Sequence, residues 1–368
     1  MRTTAAVARA AREPFTVEEV DLGGPGPDEV LVEIAGVGLC HTDIAARDGI
    51  YGLPYPLVLG HEGSGTVAAV GPAVTDLAIG DPVVLSFASC GGCVTCSAGR
   101  PAYCERFTEF NYIGSRPDGS ATMTQPGGAM HGHFFGQSSF ATHALAPRRS
   151  VVRVTTELAT GLLGPLGCGI QTGAGAVMNS MDVRAGTRLV VLGGGPVGLA
   201  AVMAGAIRGC SAIVVVEPHA DRRAFALTVG ATAVVDPAEG PLADGLRAVV
   251  PQGADYLFDT TGRVEVISAA LGVAAANATL GLVGVPQDFS VELPLNIVRA
   301  MQLGLTVKGI VEGDSDPQVF IPELLQYHRE GRFPFDTMIR TYPLSDINAA
   351  VEAQHRGEVV KVVLLPGR

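Results

Sequence analysis

Residues 188–198 do more than any other stretch to limit what this chain can become. An apolar run, Arg188–Leu192, stops at Gly193-Gly194-Gly195-Pro196-Val197-Gly198, and a segment of small residues with helical length follows. A run apolar at every position after the first has no polar face to show to water, so it belongs inside a parallel sheet covered on both sides. The glycines fall as G-x-G-x-x-G between a strand and a helix. There the first allows a tight turn, the second admits a pyrophosphate against the backbone, and the third lets helix and strand close up. The start of the helix then presents free N–H groups to phosphate. Glu217 closes the next apolar run, Ala212–Val216. A carboxylate at that point accepts hydrogen bonds from ribose hydroxyls and repels a 2′-phosphate, which predicts NAD over NADP. Arg222 and Arg223 follow closely and pull the other way, because arginine can reach a phosphate. The predicted cofactor contacts are Gly193, Gly195, Pro196, Val197, Gly198, Glu217 and Arg222.

Length alone would let 189–207 pass for a membrane span. Three glycines and a proline near its start make strand, turn and helix the better reading. The rhythm continues with strand-like runs at Thr232–Val235, Tyr256–Phe258 and Ala278–Val283, separated by helix-length segments. Before residue 150 the pattern differs. Short alternating segments such as Glu29–Val37 and Tyr55–Leu59 are punctuated by Gly and Pro, with a short helix near Thr42-Asp43. After Lys308 come helices at Pro317–Glu330 and Ser345–Arg356 and strands at Met338–Tyr342 and Val359–Leu365. This tail does not extend the strand–helix series and is expected to return to the N-terminal domain. The expected division is 1–165, 166–310 and 311–368.

A net charge of −11 argues against nucleic acid or an anionic membrane as partner. The N-terminus shows no signal-type apolar core, so a cytoplasmic protein is expected. In a reducing compartment disulfides are improbable, and cysteine positions then point to metal. Cys90-x2-Cys93-x2-Cys96-x7-Cys104 offers four thiolates on one loop, a spacing suited to a closed tetrahedral zinc site that stabilises without catalysing. A dispersed set stands apart from it: Cys40-His41-Thr42-Asp43, Gly60-His61-Glu62 and Gly167-Cys168-Gly169. Catalytic zinc requires three protein ligands and one open position, but spacing alone does not bring these three together. Cys210 has no evident role.

Along essentially its whole length the chain resembles the medium-chain, zinc-containing alcohol dehydrogenase family. The G-H-E segment, the four-cysteine lobe, the glycine fingerprint and the Cys between glycines occur in the family's order. Three segments, Leu85-Ser-Phe-Ala-Ser-Cys90, Gly136-Gln-Ser-Ser-Phe-Ala-Thr142 and Lys308-Gly-Ile-Val-Glu-Gly313, resemble its aryl and allylic (benzyl-alcohol-type) branch. The resemblance implies an α/β architecture: a Rossmann doubly wound coenzyme domain beside a mainly β, GroES-like catalytic domain with a structural zinc lobe at about 88–106. It also implies two zinc ions per chain, NAD, a small alcohol or aldehyde substrate, and a homodimer or homotetramer joined near Leu295–Lys308.

By the same resemblance Cys40, His61 and Cys168 would bind catalytic zinc, with Glu62 behind it as an occasional ligand. Asp43 would fix the tautomer of His61. His41 and Lys361 would contact the pyrophosphate, and Thr172, Val283 and Val285 would lie near the nicotinamide. Phe87, Tyr112 and Phe140 are candidates for an apolar substrate pocket. Hydride leaves an alkoxide far more readily than a neutral alcohol, and zinc lowers the pKa of a bound oxygen. Thr42 would accept the alcohol's proton, besides suiting a helix N-cap. Many relatives end the proton relay in a histidine five residues after the first ligand, where this chain has Ala45. Two readings compete with the aryl or allylic primary-alcohol dehydrogenase: a secondary-alcohol or polyol dehydrogenase, and a non-catalytic, zinc-stabilised nucleotide-binding protein.

Overall fold

The computed structural model describes residues 1–286 and 288–367. They form two compact units, one of Met1–Gly169, Asp316–Leu325 and Asp336–Arg368, the other of Ile170–Ser315 and Gln326–Phe335. Residues 311–315 and 326–335 therefore group with the second unit and 166–169 with the first, which differs from the division at 165 and 310 expected from the sequence.

The first unit is built on two sheets. In the larger, the long strand Glu29–Gly38 pairs antiparallel with Gly63–Val70, with His143–Pro147 and, through Val37 and Gly38, with Lys361–Leu365. Lys361–Leu365 in turn runs parallel to Ile339–Pro343. The strands Ile339–Pro343 and Lys361–Leu365 thus join the sheet of the N-terminal fold. Apolar side chains of both sheets make one core around Val30, Val32, Leu57, Leu59, Leu85 and Phe140. Fully burying side chains of this size contributes about 1.5–3 kcal/mol each, before chain entropy is subtracted.

In the second unit six parallel strands lie in the order Ala233–Val235, Ala212–Val216, Arg188–Leu192, Ala254–Asp259, Ala274–Leu282, Thr306–Gly309. This 3-2-1-4-5-6 order is that of a doubly wound dinucleotide-binding sheet, which binds ligands outside the carboxyl ends of its strands. Residues 189–192 are buried, as a doubly covered strand requires. The next helix, Pro196–Arg208, starts with proline at its first position and stops at Gly209 in a left-handed conformation. Among the described residues no helix is long and apolar enough to cross a membrane.

Candidate active site

The helix His41–Arg47 starts at Cys40, not at Thr42, and Asp43 holds the cap: its Oδ2 accepts the N–H of Cys40 at 3.0 Å. The other carboxylate oxygen accepts the N–H of Gly60 at 3.0 Å and lies 2.8 Å from His61 Nδ1. Gly60 has φ +91°, and a Cβ there would stand 2.4 Å from the backbone nitrogen of Phe140, so only glycine lets the segment turn at this point. With Nδ1 engaged by Asp43, His61 leaves Nε2 buried and, among the described residues, without a hydrogen-bond partner.

One donor atom from each of Cys40, His61, Glu62 and Cys168 lies within 4.8 Å of all the others. Two thiols, an imidazole and a carboxylate at this spacing match the donor preferences of zinc. The orphaned His61 Nε2 has the vacancy that a ligand atom needs. Burial opposes charge on His61, but the Asp43 carboxylate outweighs it and makes the ring more basic, the usual effect of a carboxylate behind a metal-binding histidine. Hydrogen bonding from Cys168, with His61 and Lys361 adding to it, holds the Cys40 thiol well below its ordinary value.

Behind this group Lys361 is 2% exposed, with Nζ 2.5 Å from Glu62 Oε2 and 3.1 Å from the carbonyl of Leu39. Burial works against its charge, and the Glu62 carboxylate more than offsets that, so the amine lies above its ordinary value. Lys361 therefore holds Glu62 in this structure. His41 is exposed, and Thr42 Oγ1 lies 3.7 Å from Cys40 Sγ. Ala45, where relatives carry a relay histidine, is buried.

The sequence reading missed several aromatic residues here. The turn Phe134–Gly136 bends through Phe135, which has φ +51°, and so turns two successive phenylalanines to the same imidazole. Phe135 lies 4.5 Å from the His61 ring and Phe134 5.6 Å. Tyr112 packs on Phe134 and Phe135 and sits 4.9 Å from Tyr51, while Phe107 bridges Tyr112 and Phe87. Tyr51 is hydrogen-bonded to Thr42, and burial, with the negative charge of Cys40, pushes its hydroxyl up to about 12. Gln137 ties the turn down: Nε2 donates to the carbonyl of His61 at 2.9 Å, and Oε1 accepts the N–H of Gly63 at 3.1 Å. The Phe-Phe pair flanked by His133 and Gly136 was the available signal.

Of the three predicted pocket residues only Tyr112 contacts this cluster around His61 directly. Phe87 joins it through Phe107 and also lines a cavity of about 350 Å³ with Arg148 and Arg149. Phe140 is fully buried and packs on Phe15 and the bare face of Gly60, so it is a core residue.

The four sulfurs of Cys90, Cys93, Cys96 and Cys104 also gather within 4.8 Å. Backbone N–H groups point at them, Cys96 at Cys93 Sγ and Cys90 at Cys104 Sγ. The Thr95 hydroxyl and such N–H groups pull the Cys93 thiol down to about 5, the thiolate form that a structural zinc takes.

In the second unit Glu217 accepts the N–H of Gly194 at 2.8 Å and that of His219 at 2.9 Å. Its neighbours Gly193, His219, Arg222, Thr261 and Arg263 line a cavity of about 500 Å³. A Cβ on Gly198 would meet the carbonyl of Gly193 at 1.9 Å, whereas one on Gly195 would meet open space. That is the close helix contact and the clear approach that a pyrophosphate requires. Arg223 is taken up by Asp236 at 2.8 Å and by the carbonyls of Glu217 and Pro218. Thr172 is buried, and Val285 is exposed just beyond the carboxyl end of the strand Ala274–Leu282.

Comparison with known proteins agrees with this chemistry. Residues 26–156 match the alcohol dehydrogenase GroES-like domain, and residues 196–326 match the zinc-binding dehydrogenase family. A geraniol dehydrogenase of Castellaniella defragrans is 46% identical over 98% of this chain and 97% of its own. An alcohol dehydrogenase zinc-binding domain protein of Burkholderia ambifaria superposes with a TM-score of 0.97 at 45% identity, covering 100% of this chain and 99% of its own. The benzyl alcohol dehydrogenase of Acinetobacter calcoaceticus does so with a TM-score of 0.95 at 36% identity, covering 99% of both. With the metal-binding donors and the dinucleotide fold in place, the chain belongs to the medium-chain, zinc-containing alcohol dehydrogenase family.

Proposed function

We propose that this enzyme interconverts a primary allylic or aromatic alcohol and its aldehyde, passing hydride to NAD, with one catalytic and one structural zinc per chain. The observation that carries the substrate class is the aromatic cluster beside the zinc-ligand candidate His61, in which the half-buried Tyr51 and Tyr112 rest on the buried Phe134 and Phe135. Flat, polarisable faces beside the metal suit a planar sp2 carbon next to the carbinol. The similarity to a geraniol dehydrogenase and a benzyl alcohol dehydrogenase supports the same class.

Cys40, His61 and Cys168 would hold the catalytic ion, which supplies the Lewis acidity that makes an alcohol hydroxyl acidic near neutral pH. Thr42 takes the hydroxyl proton at Oγ1 as it releases its own. Tyr51 keeps its proton at neutral pH, since its hydroxyl is pushed up to about 12, and so orients Thr42 as a donor and not as a base. Asp43 keeps His61 Nε2 aimed at the metal, and Lys361 draws the Glu62 carboxylate away from it. In the second unit Glu217 presents a carboxylate to the adenosine ribose, which favours NAD over NADP. The edge strand Thr306–Gly309 and the exposed Ile297 and Met301 support assembly with further copies of this chain.

The test is NADH formation from benzyl alcohol, geraniol, ethanol and sorbitol, together with a metal count. We expect kcat/KM for benzyl alcohol and geraniol to exceed that for ethanol by about 100-fold or more, the order that a fitted apolar pocket supplies, and two zinc ions per chain. Best turnover on sorbitol would sink the substrate class, and preference for NADP would sink the cofactor assignment.

A further inference from the structure

Glu312, Gly313 and Asp314 are three successive left-handed residues, with φ of +49°, +66° and +51°, and two of them are not glycine. Such backbone is unfavourable for a non-glycine residue and persists where surrounding contacts impose it. Here the contacts are tight. A Cβ on Gly313 would stand 2.4 Å from the carbonyl of Gln171, and one on Gly175 would stand 2.4 Å from the carbonyl of Gly313. Asn179 Nδ2 donates to the Gly313 carbonyl at 3.3 Å. Lys308 Nζ lies 3.3 Å from Asp314 and donates to the carbonyl of Ser180 at 2.7 Å.

The result is a buried carboxylate, Glu312 at 8% exposure, whose Oε2 is 3.4 Å from both Gln171 Nε2 and Thr172 Oγ1. The loop leaves the carboxyl end of Thr306–Gly309, the strand beside Ala274–Leu282, and Ile310 still donates to the carbonyl of Leu282 at 2.9 Å. The carboxyl ends of parallel strands are where a doubly wound sheet meets its ligand.

We propose that Glu312 is a charge-selective cofactor residue, which strengthens binding of the oxidised nicotinamide over the reduced one. The inference rests on the dinucleotide reading of this unit. A pyridinium ring carries one positive charge, and the dihydropyridine formed when hydride adds to it carries none. A carboxylate held near that ring would therefore attract one redox form only, and in a site of reduced dielectric a single charge pair is enough to separate them. The bound couple is thereby biased toward the oxidised cofactor, and the left-handed loop is the device that places the charge.

The experiment is fluorescence titration of NADH, with NAD and ADP-ribose measured by competition, on the wild type, Glu312→Gln and Glu312→Asp. We expect Glu312→Gln to weaken NAD about tenfold relative to NADH, to leave ADP-ribose unchanged, and Glu312→Asp to keep most of the wild-type ratio. Equal weakening of NAD and NADH, or no change in either, would overturn the assignment by leaving the loop a structural part only. Wild-type protein that binds none of the three ligands would instead overturn the dinucleotide reading itself.

Discussion

Asp43 and His61 sit 2.8 Å apart with both side chains fully buried, and the same carboxylate also accepts the N–H of Cys40. One residue thus orients two candidate zinc ligands that come from different segments. Asp43→Asn retains the shape but loses the charge. Zinc affinity should fall by about 10–100-fold, the range seen when a partner behind a ligand is removed, as measured by competition with a chromogenic chelator. An unchanged affinity would show that Asp43 serves only as a helix cap.

The Lys361–Glu62 pair is buried, so removing one partner should cost far more than removing both. Lys361→Met leaves a buried carboxylate uncompensated, and we expect a loss of about 3–5 kcal/mol. Glu62→Gln combined with Lys361→Met should lose much less. Denaturant unfolding at fixed zinc concentration reads the difference, and equal losses in the two proteins would refute the coupling.

His133 has a sharper pH signature. Among the described residues neither of its ring nitrogens has a hydrogen-bond partner, and burial, with Arg116 nearby, pulls the imidazole down to about 4 from 6.5. The unfolded chain therefore binds a proton at a pH where the folded chain does not. Stability from this group is complete above about pH 6.5 and falls away as pH drops toward 4, by up to about 3 kcal/mol. His133→Gln should flatten the decline between those values in unfolding measurements. An identical slope in both proteins would rule the residue out.

Gly198→Ala places a methyl group where the Gly193 carbonyl already lies. Helix and turn must separate, at a cost of about 1–3 kcal/mol. Cofactor binding should weaken by about tenfold or more, while the metal count of the other unit stays the same. NADH titration and metal analysis on one preparation check both halves.

The parallel sheet was largely legible from the residues. Arg188–Leu192 and Ala212–Val216 start and stop where their apolar runs do, because strands buried on both faces leave no ambiguity. Less uniform runs slipped: Tyr256–Phe258 widens to Ala254–Asp259, and Ala278–Val283 shifts to Ala274–Leu282. The dispersed metal-binding group was a different problem, since Cys40, His61 and Cys168 gain meaning only when the fold assembles them. Phe140 could not be told from a pocket residue until the bare face of Gly60 was seen beneath it. Phe134 and Phe135 were missed because neighbours on an extended chain face opposite ways, and only the left-handed turn at Phe135 gives both to His61.

The strand carrying Lys361 also sets the order in which this pocket can be assembled. Lys361 reaches the carbonyl of Leu39 across 322 positions of sequence. Synthesis must therefore pass residue 361 before Glu62 meets its counter-charge. A nascent chain short of that point carries every predicted zinc ligand yet lacks the lysine that faces Glu62, so the buried carboxylate stays uncompensated until that strand is made.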